Sequence, residues 1–369
     1  MIRLATVIDA FEADFLAQYR HTLSSDHLRA LAAMKHCRTH ASPKMLAECS
    51  ECNHRSLVPH SCGHRHCPHC QHHESQQWLE RQLKKQMPAE YFLLTFTLPA
   101  EFRALSWAHQ SVIYDLLLRS AWETVNTFSQ NDKQLQGVPG AIAVLHTNTR
   151  PLEYHPHVHL VMPAAAVDAK NRRWRTKRAK KGRYLFNHKA LAKVFRAKML
   201  AGIEAAGLSL PGRYPTTWVV DCKSVGAGDK ALIYLGRYLY RGVVREQDIV
   251  AFDMANGGQV TFQYRDAKTQ RMERKTVSGA KFLWLVLQHV LPKGFRRARN
   301  FGFLHPNCKS LIALLHVLLK YVPTLASTEI KERPPIVCPC CGAAMKIVQT
   351  RLRSLSGPMP TPVVARGDR

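Results

Sequence analysis

Apolar residues recur along the chain at two spacings, and these predict its elements. Val7, Phe11, Phe15 and Tyr19 stand at helical intervals, so a helix is expected over 7–19. Further helices are expected over 26–36, 74–86, 104–128, 187–206, 228–242 and 280–291. Stretches rich in β-branched and aromatic residues predict strands: "YFLLTFTLP" at 91–99, "AIAVLH" at 141–146, "PHVHLVM" at 156–162 and "TTWVVDC" at 216–222. Residues 247–278 alternate about an "NGG" turn at 256–258, which predicts a hairpin or meander. Helices interleaved with strands, with no internal repeat, give an α+β class. Residues 37–70 follow neither spacing and are rich in Cys and His, so this segment is expected to need metal to fold.

Charge narrows the partners. The 369 residues carry 53 Lys+Arg against 26 Asp+Glu, a net +27, more than solubility requires. Such an excess predicts a polyanionic partner, nucleic acid before any membrane surface. The longest apolar runs, near 282–291 and 311–319, fall short of the ~18–20 residues of a membrane span. The N-terminal "MIRLATVIDAFEAD" is acidic too early for a signal peptide. Eleven cysteines in CxxC-like groups then read as metal ligands in a reducing cytoplasm rather than as disulfides.

"CSEC" (Cys49, Cys52) and "CPHC" (Cys67, Cys70) are two such pairs, fourteen residues apart. Each pair turns two thiolates toward one point, and two pairs complete the tetrahedron of structural Zn²⁺. Cys37, Cys62 and His66 are further candidates for this set or a neighbouring one. A second zinc set is expected near the C-terminus, with Cys338 and Cys341 joined by His305 and Cys308.

"LEYHPHVHLVMP" puts His155, His157 and His159 at alternate positions, so on a strand all three imidazoles share a face. Imidazoles so placed suit a divalent ion with open coordination positions. Further on, "YLGRYLYR" puts Tyr234 and Tyr238 one helical turn apart. A metal that polarises phosphate, two tyrosine nucleophiles and a polyanionic substrate suit a DNA-nicking enzyme. Taken singly, the motifs also fit a histidine-bearing core strand and an amphipathic helix whose tyrosines pack.

Together these stretches resemble one family. "HPHVHLVMP" is similar to the HUH motif, two metal-binding histidines flanking a bulky apolar residue, and "YLGRY" resembles the paired-tyrosine helix of two-tyrosine HUH enzymes. "CSECNHRSLVPHSCGHRHCPHCQ" resembles the zinc-binding domain of rolling-circle transposases of the insertion-sequence-ninety-one type, and the likeness covers about residues 30–310. The resemblance implies a helical and zinc-binding domain at 1–90. It implies an HUH single-strand nuclease domain at 91–292, with a central antiparallel sheet flanked by helices. A C-terminal helical segment with a Cys-containing basic tail would fill 293–369. It implies Mg²⁺ or Mn²⁺ on His157 and His159, with His146 nominated as third ligand, and Tyr234 and Tyr238 as nucleophiles. The implied reaction nicks and rejoins single-stranded DNA at insertion-sequence ends through a 5′-phosphotyrosine, leaving a 3′-OH that host replication machinery can extend.

The basic run at 170–184 is expected to be solvated and to bind DNA through Arg172, Arg173, Arg175, Lys177, Arg178, Lys180 and Lys181, with Trp174 and Tyr184 stacking on bases. Arg237 and Arg241 are expected to steady phosphates beside the tyrosines. Two other classes compete: a plasmid-type replication initiator and a non-enzymatic zinc-ribbon DNA-binding protein. The second explains charge and cysteines but not HxH with YxxxY.

Overall fold

The computed structural model describes residues 2–39, 41–68, 70, 72–178, 184–240, 242–255, 257–266, 269–323 and 336–352. In chain order the described elements begin with α1 (Leu4–Tyr19), α2 (Ser25–His36), β1 (Lys44–Cys49), β2 (Arg55–Pro59), α3 (His72–Leu83) and β3 (Tyr91–Thr97). Then come α4 (Arg103–Ala108), α5 (Gln110–Asn131), β4 (Val138–Asn148), β5 (Tyr154–Pro163), β6 (Ala165–Asp168) and β7 (Arg173–Thr176). α6 (His188–Ala205), β8 (Val220–Ser224), α7 (Asp229–Tyr240), β9 (Ile249–Asp253), β10 (Gln259–Arg265) and β11 (Met272–Ser278) follow. The described chain closes with α8 (Gly279–Leu287), β12 (Ala298–Gly302), α9 (Lys309–Leu318), β13 (Ile336–Val337) and β14 (Ala344–Leu352). This is the α+β class that the mixed periodicities predict. The helix expected over 104–128 is broken at His109, whose φ of −128° leaves the helical region and separates α4 from α5.

The chain forms two compact units, Met1–Lys35 with Gly63–Ile330, and His36–Cys62 with Lys331–Arg369. The second unit joins stretches that the sequence reading places in different domains. It is a four-stranded antiparallel sheet ordered β13-β14-β1-β2. The segment read as lacking periodicity thus holds two strands, too short and too polar to show an alternating pattern.

The first unit is built on a seven-stranded sheet ordered β7-β6-β4-β5-β3-β8, with β12 also pairing β4. Its paired strands are antiparallel, and β5 lies between β4 and β3. Alternation decides which face each residue takes. Phe92, Leu94, Phe96, Val158 and Leu160 pack with Tyr114 and Leu117 of α5 and Phe195 and Met199 of α6. Leu93, Val144 and Val161 on the opposite face pack with Trp78 of α3 and Leu232 and Leu235 of α7. Burying one large aliphatic or aromatic side chain stabilises by about 1.5–3 kcal/mol, so this double-faced burial holds the sheet rigid. A smaller sheet, β11-β10-β9, stands apart from it in the same unit, with Phe262 against Phe282 of α8.

Two glycines fix α7 over the sheet. Gly228, just before the helix, has φ +86°, and a Cβ there would come within 2.5 Å of the Tyr91 ring. A Cβ on Gly236 would meet the Trp78 indole at 3.3 Å, so α7 lies closer to α3 than a larger residue would allow.

Candidate metal centres and nucleophile helix

The β5 alternation places Tyr154, Pro156, Val158 and Leu160 in the core and turns His155, His157 and His159 the other way. β4 sets His146 opposite His157, and β3 sets Thr95 opposite His159. The ligating nitrogens of His146, His157 and His159 all lie within 4.8 Å of one another. His155 is not in this group; its Nδ1 lies 3.2 Å from an Arg103 guanidinium nitrogen.

Two hydrogen bonds orient the ligands. The Nδ1–H of His157 donates to the His155 carbonyl at 2.7 Å, which leaves Nε2 with its lone pair for a metal. His159 Nδ1 lies 3.1 Å from the Thr95 hydroxyl, which orients its ring. Burial pushes the His157 imidazole down to about 4 and His159 to about 3, and takes His146 well below its usual value. All three are therefore neutral donors at pH 7, the form that binds a cation. Neutral imidazole nitrogens with no thiolate among them suit a divalent ion of borderline softness.

α7 lays Tyr234 over this group. Its ring centroid is 6.3 Å from that of His146 and 6.2 Å from that of His159, and the side chain is half exposed. Burial raises its hydroxyl pKa, and the Arg150 guanidinium pulls it back. Tyr238 and Arg237 stand one turn or less further along α7, at the level of the backbone. Arg241 lies outside the described residues.

The cysteines assemble differently from their sequence order. Cys49 and Cys52 converge with Cys338 and Cys341, not with Cys67 and Cys70. The Sγ atoms of Cys49 and Cys341 are 3.4 Å apart, and those of Cys52 and Cys338 3.7 Å. Four sulfurs at 2.3 Å around one Zn²⁺ would be about 3.8 Å apart, so this set fits that ion. The two CxxC turns repeat each other. Glu51 N–H donates to Cys49 Sγ at 3.4 Å, and Cys340 N–H to Cys338 Sγ at 3.4 Å. Cys49 N–H reaches the His54 carbonyl, and Cys338 N–H that of Ala343. Each turn has a left-handed residue at its fifth position, Asn53 at φ +57° and Gly342 at φ +76°. The backbone N–H groups of Cys52 and Glu51 lower the Cys49 thiol to about 6, toward the thiolate, while hydrogen bonds among the sulfurs push Cys52 and Cys341 up.

His66, His305 and Cys308 have other partners. Cys67 and Cys70 lie in the first unit, Cys37 and Cys62 at the ends of the N-terminal stretch of the second. His66 is a buried acceptor, its Nε2 taking the Leu291 N–H at 3.2 Å. His305 caps the turn Pro306–Cys308 by accepting from Asn307 N–H, and the Cys308 thiol points at the Gly302 carbonyl, 3.6 Å away. Neither joins Cys338 and Cys341, because those two take their partners from β1 and its turn.

The basic run is also more structured than expected. Trp174 lies on β7 with its ring edge-on to Phe303 at 5.4 Å, so it packs in the protein rather than waiting for a base. Arg175 pairs with Asp168 at 3.1 Å, and Lys177 pairs with Asp132. Arg172, Arg173, Arg178 and Tyr184 are exposed, and Lys180 and Lys181 lie outside the described residues. Asp132 is 45 residues from Lys177, and Asp168 stands just before the run, so the run alone reads as free cations. Thr95 was missed in the sequence because only strand register reveals it.

Residues 140–311 match the family described as "Putative transposase", and residues 7–98 match the "Transposase zinc-binding domain" family. The chain is 30% identical over 92% of its length to "Putative transposase y4qJ" of Sinorhizobium fredii, of which it covers 93%. It is 27% identical over 80% of its length to "Transposase for insertion sequence element IS801" of Pseudomonas savastanoi pv. phaseolicola, of which it covers 76%. The histidine group and α7 fall within the first matched region, and the first CxxC pairs within the second. The chain belongs to the transposase family of the insertion-sequence-ninety-one type.

Proposed function

We propose that the protein is an HUH-type two-tyrosine transposase that nicks and rejoins single-stranded DNA at the ends of an insertion sequence. One observation carries the reading: three neutral imidazoles converge on one sheet face, and an exposed tyrosine lies beside them. His146, His157 and His159 would hold Mg²⁺ or Mn²⁺, whose charge polarises a phosphate when the ion is bound. The Tyr234 oxygen attacks phosphorus, the tyrosine–phosphate bond forms, and the bond to the 3′ oxygen breaks. The tyrosine loses its proton to solvent, and the departing 3′ oxygen gains one. The phosphotyrosine conserves the bond energy, so attack by a 3′-OH rejoins DNA without a nucleotide cofactor. Tyr238, one turn along α7, serves the second end. A rigid sheet beneath and a glycine-fitted helix above keep nucleophile and phosphate in register, so that attack proceeds from a pre-oriented pair.

The Cys49, Cys52, Cys338 and Cys341 set is proposed to hold one structural Zn²⁺ with no open position. Partners are then single-stranded DNA and element ends, with host replication extending the freed 3′-OH. Among the described residues no helix is long and apolar enough to cross a membrane. The test is a labelled single-stranded oligonucleotide carrying an element end, incubated with Mn²⁺ and resolved on a denaturing gel. A protein–DNA adduct that needs the ion supports the reading; tight binding with no adduct would favour a binding protein.

A further inference from the structure

The floor of the histidine site extends past the histidines. β8 lies along β3 with Asp221 opposite Thr95 and Lys223 opposite Leu93, while β3 sets Thr95 opposite His159. Directly opposed residues of neighbouring strands share a face. Along β8 burial alternates: Val220 and Cys222 enter the core, and Asp221 and Lys223 are exposed. Lys223 therefore stands on the imidazole face, two strands from His159 and one pair of residues along. Lys223 makes no ion pair with any described residue. Asp221, the carboxylate on the same face, is level with Thr95 and His159, and Lys223 lies about 6.6 Å of strand further along.

The floor carries one cation and one carboxylate beside the imidazoles. Three neutral imidazoles bring no negative charge to a metal, unlike carboxylate ligands, and Lys223 puts a cation on the same face. A lysine is a compact point charge with rotatable donors, suited to phosphate oxygens that approach from more than one angle. Building on the nuclease reading above, we propose that Lys223 binds a non-bridging oxygen of the phosphodiester at the cleavage position. Held there, the ammonium neutralises charge as the tyrosine attacks and keeps the strand against the sheet between β8 and α7.

The test uses the full-length protein, a labelled single-stranded oligonucleotide carrying an element end, and the variants Lys223→Ala and Lys223→Arg. In EDTA, fluorescence anisotropy should show weaker binding by Lys223→Ala, with a salt slope shallower by about 0.7, the value for one lost contact to a single strand. With Mn²⁺, adduct formation should slow by about 100-fold, as for loss of one preorganised donor. Added ethylammonium should restore part of the rate in Lys223→Ala, and Lys223→Arg should keep most of the binding. Thermal melting should not change, because the side chain is exposed. Wild-type binding slope and wild-type adduct rate in Lys223→Ala overturn the proposal, as does a slow variant that melts early and gains nothing from the amine. Absence of any adduct with the wild-type protein would instead remove the nuclease reading on which the proposal stands.

Discussion

Which nitrogen a histidine offers a metal is decided by what its other nitrogen does. The His155 carbonyl settles this for His157, and the Thr95 hydroxyl does so for His159 when it accepts the Nδ1–H. Thr95→Val should therefore lower Mn²⁺ affinity by roughly 10–100-fold, the usual cost of losing an outer partner, while leaving folding intact. Isothermal titration of the apo-protein would measure it, and unchanged affinity would mean that Thr95 does not orient the ring. His157→Ala should abolish adduct formation at both element ends and spare DNA binding. The alternation of His155, His157 and His159 is legible in the sequence because a strand has a period of two. The third member is not. His146 stands at the end of an unremarkable strand pattern, and only the β4–β5 register sets it against His157. His155 shares the face but turns to Arg103, a contact nothing in its own segment announces.

At the scale of elements, the CxxC pairs show how local signals can hide their partners. A CxxC turn specifies two ligands and says nothing about the other two. The choice is made by β1, which pairs β14 with Cys49 opposite Met345 and so brings the C-terminal turn to the first knuckle. Replacing Cys338 and Cys341 with Ser should remove one equivalent of zinc by metal analysis. It should also abolish protection of β1 and β14 in hydrogen exchange, while amides of β3, β4 and β5 stay protected. Loss of zinc with β1 still protected would show that the small sheet stands without metal. The long helices and the central strands are legible because their apolar positions are many and regular. β12 is short and half-buried throughout, and β1 and β2 carry mixed side chains, so none declares itself. Trp174, read as a stacking platform, belongs to β7 and packs against the core, because Phe303 comes from far along the chain.

For the whole molecule, buried histidines link stability to pH. His27 and His157 are pushed down to about 4, His159 and His289 to about 3, in each case chiefly by burial. An unfolded histidine titrates near 6.5, so below that pH the unfolded chain binds protons that the folded one refuses. Stability contributed by these groups is complete above pH 6.5 and falls as pH drops toward 4–3. The slope is about 1.4 kcal/mol per pH unit for each such histidine. Chemical denaturation of the metal-free protein should then show a midpoint that declines between pH 6.5 and 4.5 and is nearly flat from 7 to 8. A flat midpoint across the acidic range would mean that these imidazoles are hydrated.

The net charge of +27 predicts a polyanion at any scale, but only the site distinguishes a nuclease from a binder. The direct measurement is covalent attachment of the protein to a single-stranded oligonucleotide carrying an element end, followed on a denaturing gel with and without Mn²⁺. An ion-dependent adduct is predicted for the wild type. It should persist in part in Tyr234→Phe or Tyr238→Phe alone, and vanish in the double variant and in His157→Ala. An adduct that forms without the metal, or that survives loss of both tyrosines, would contradict the account.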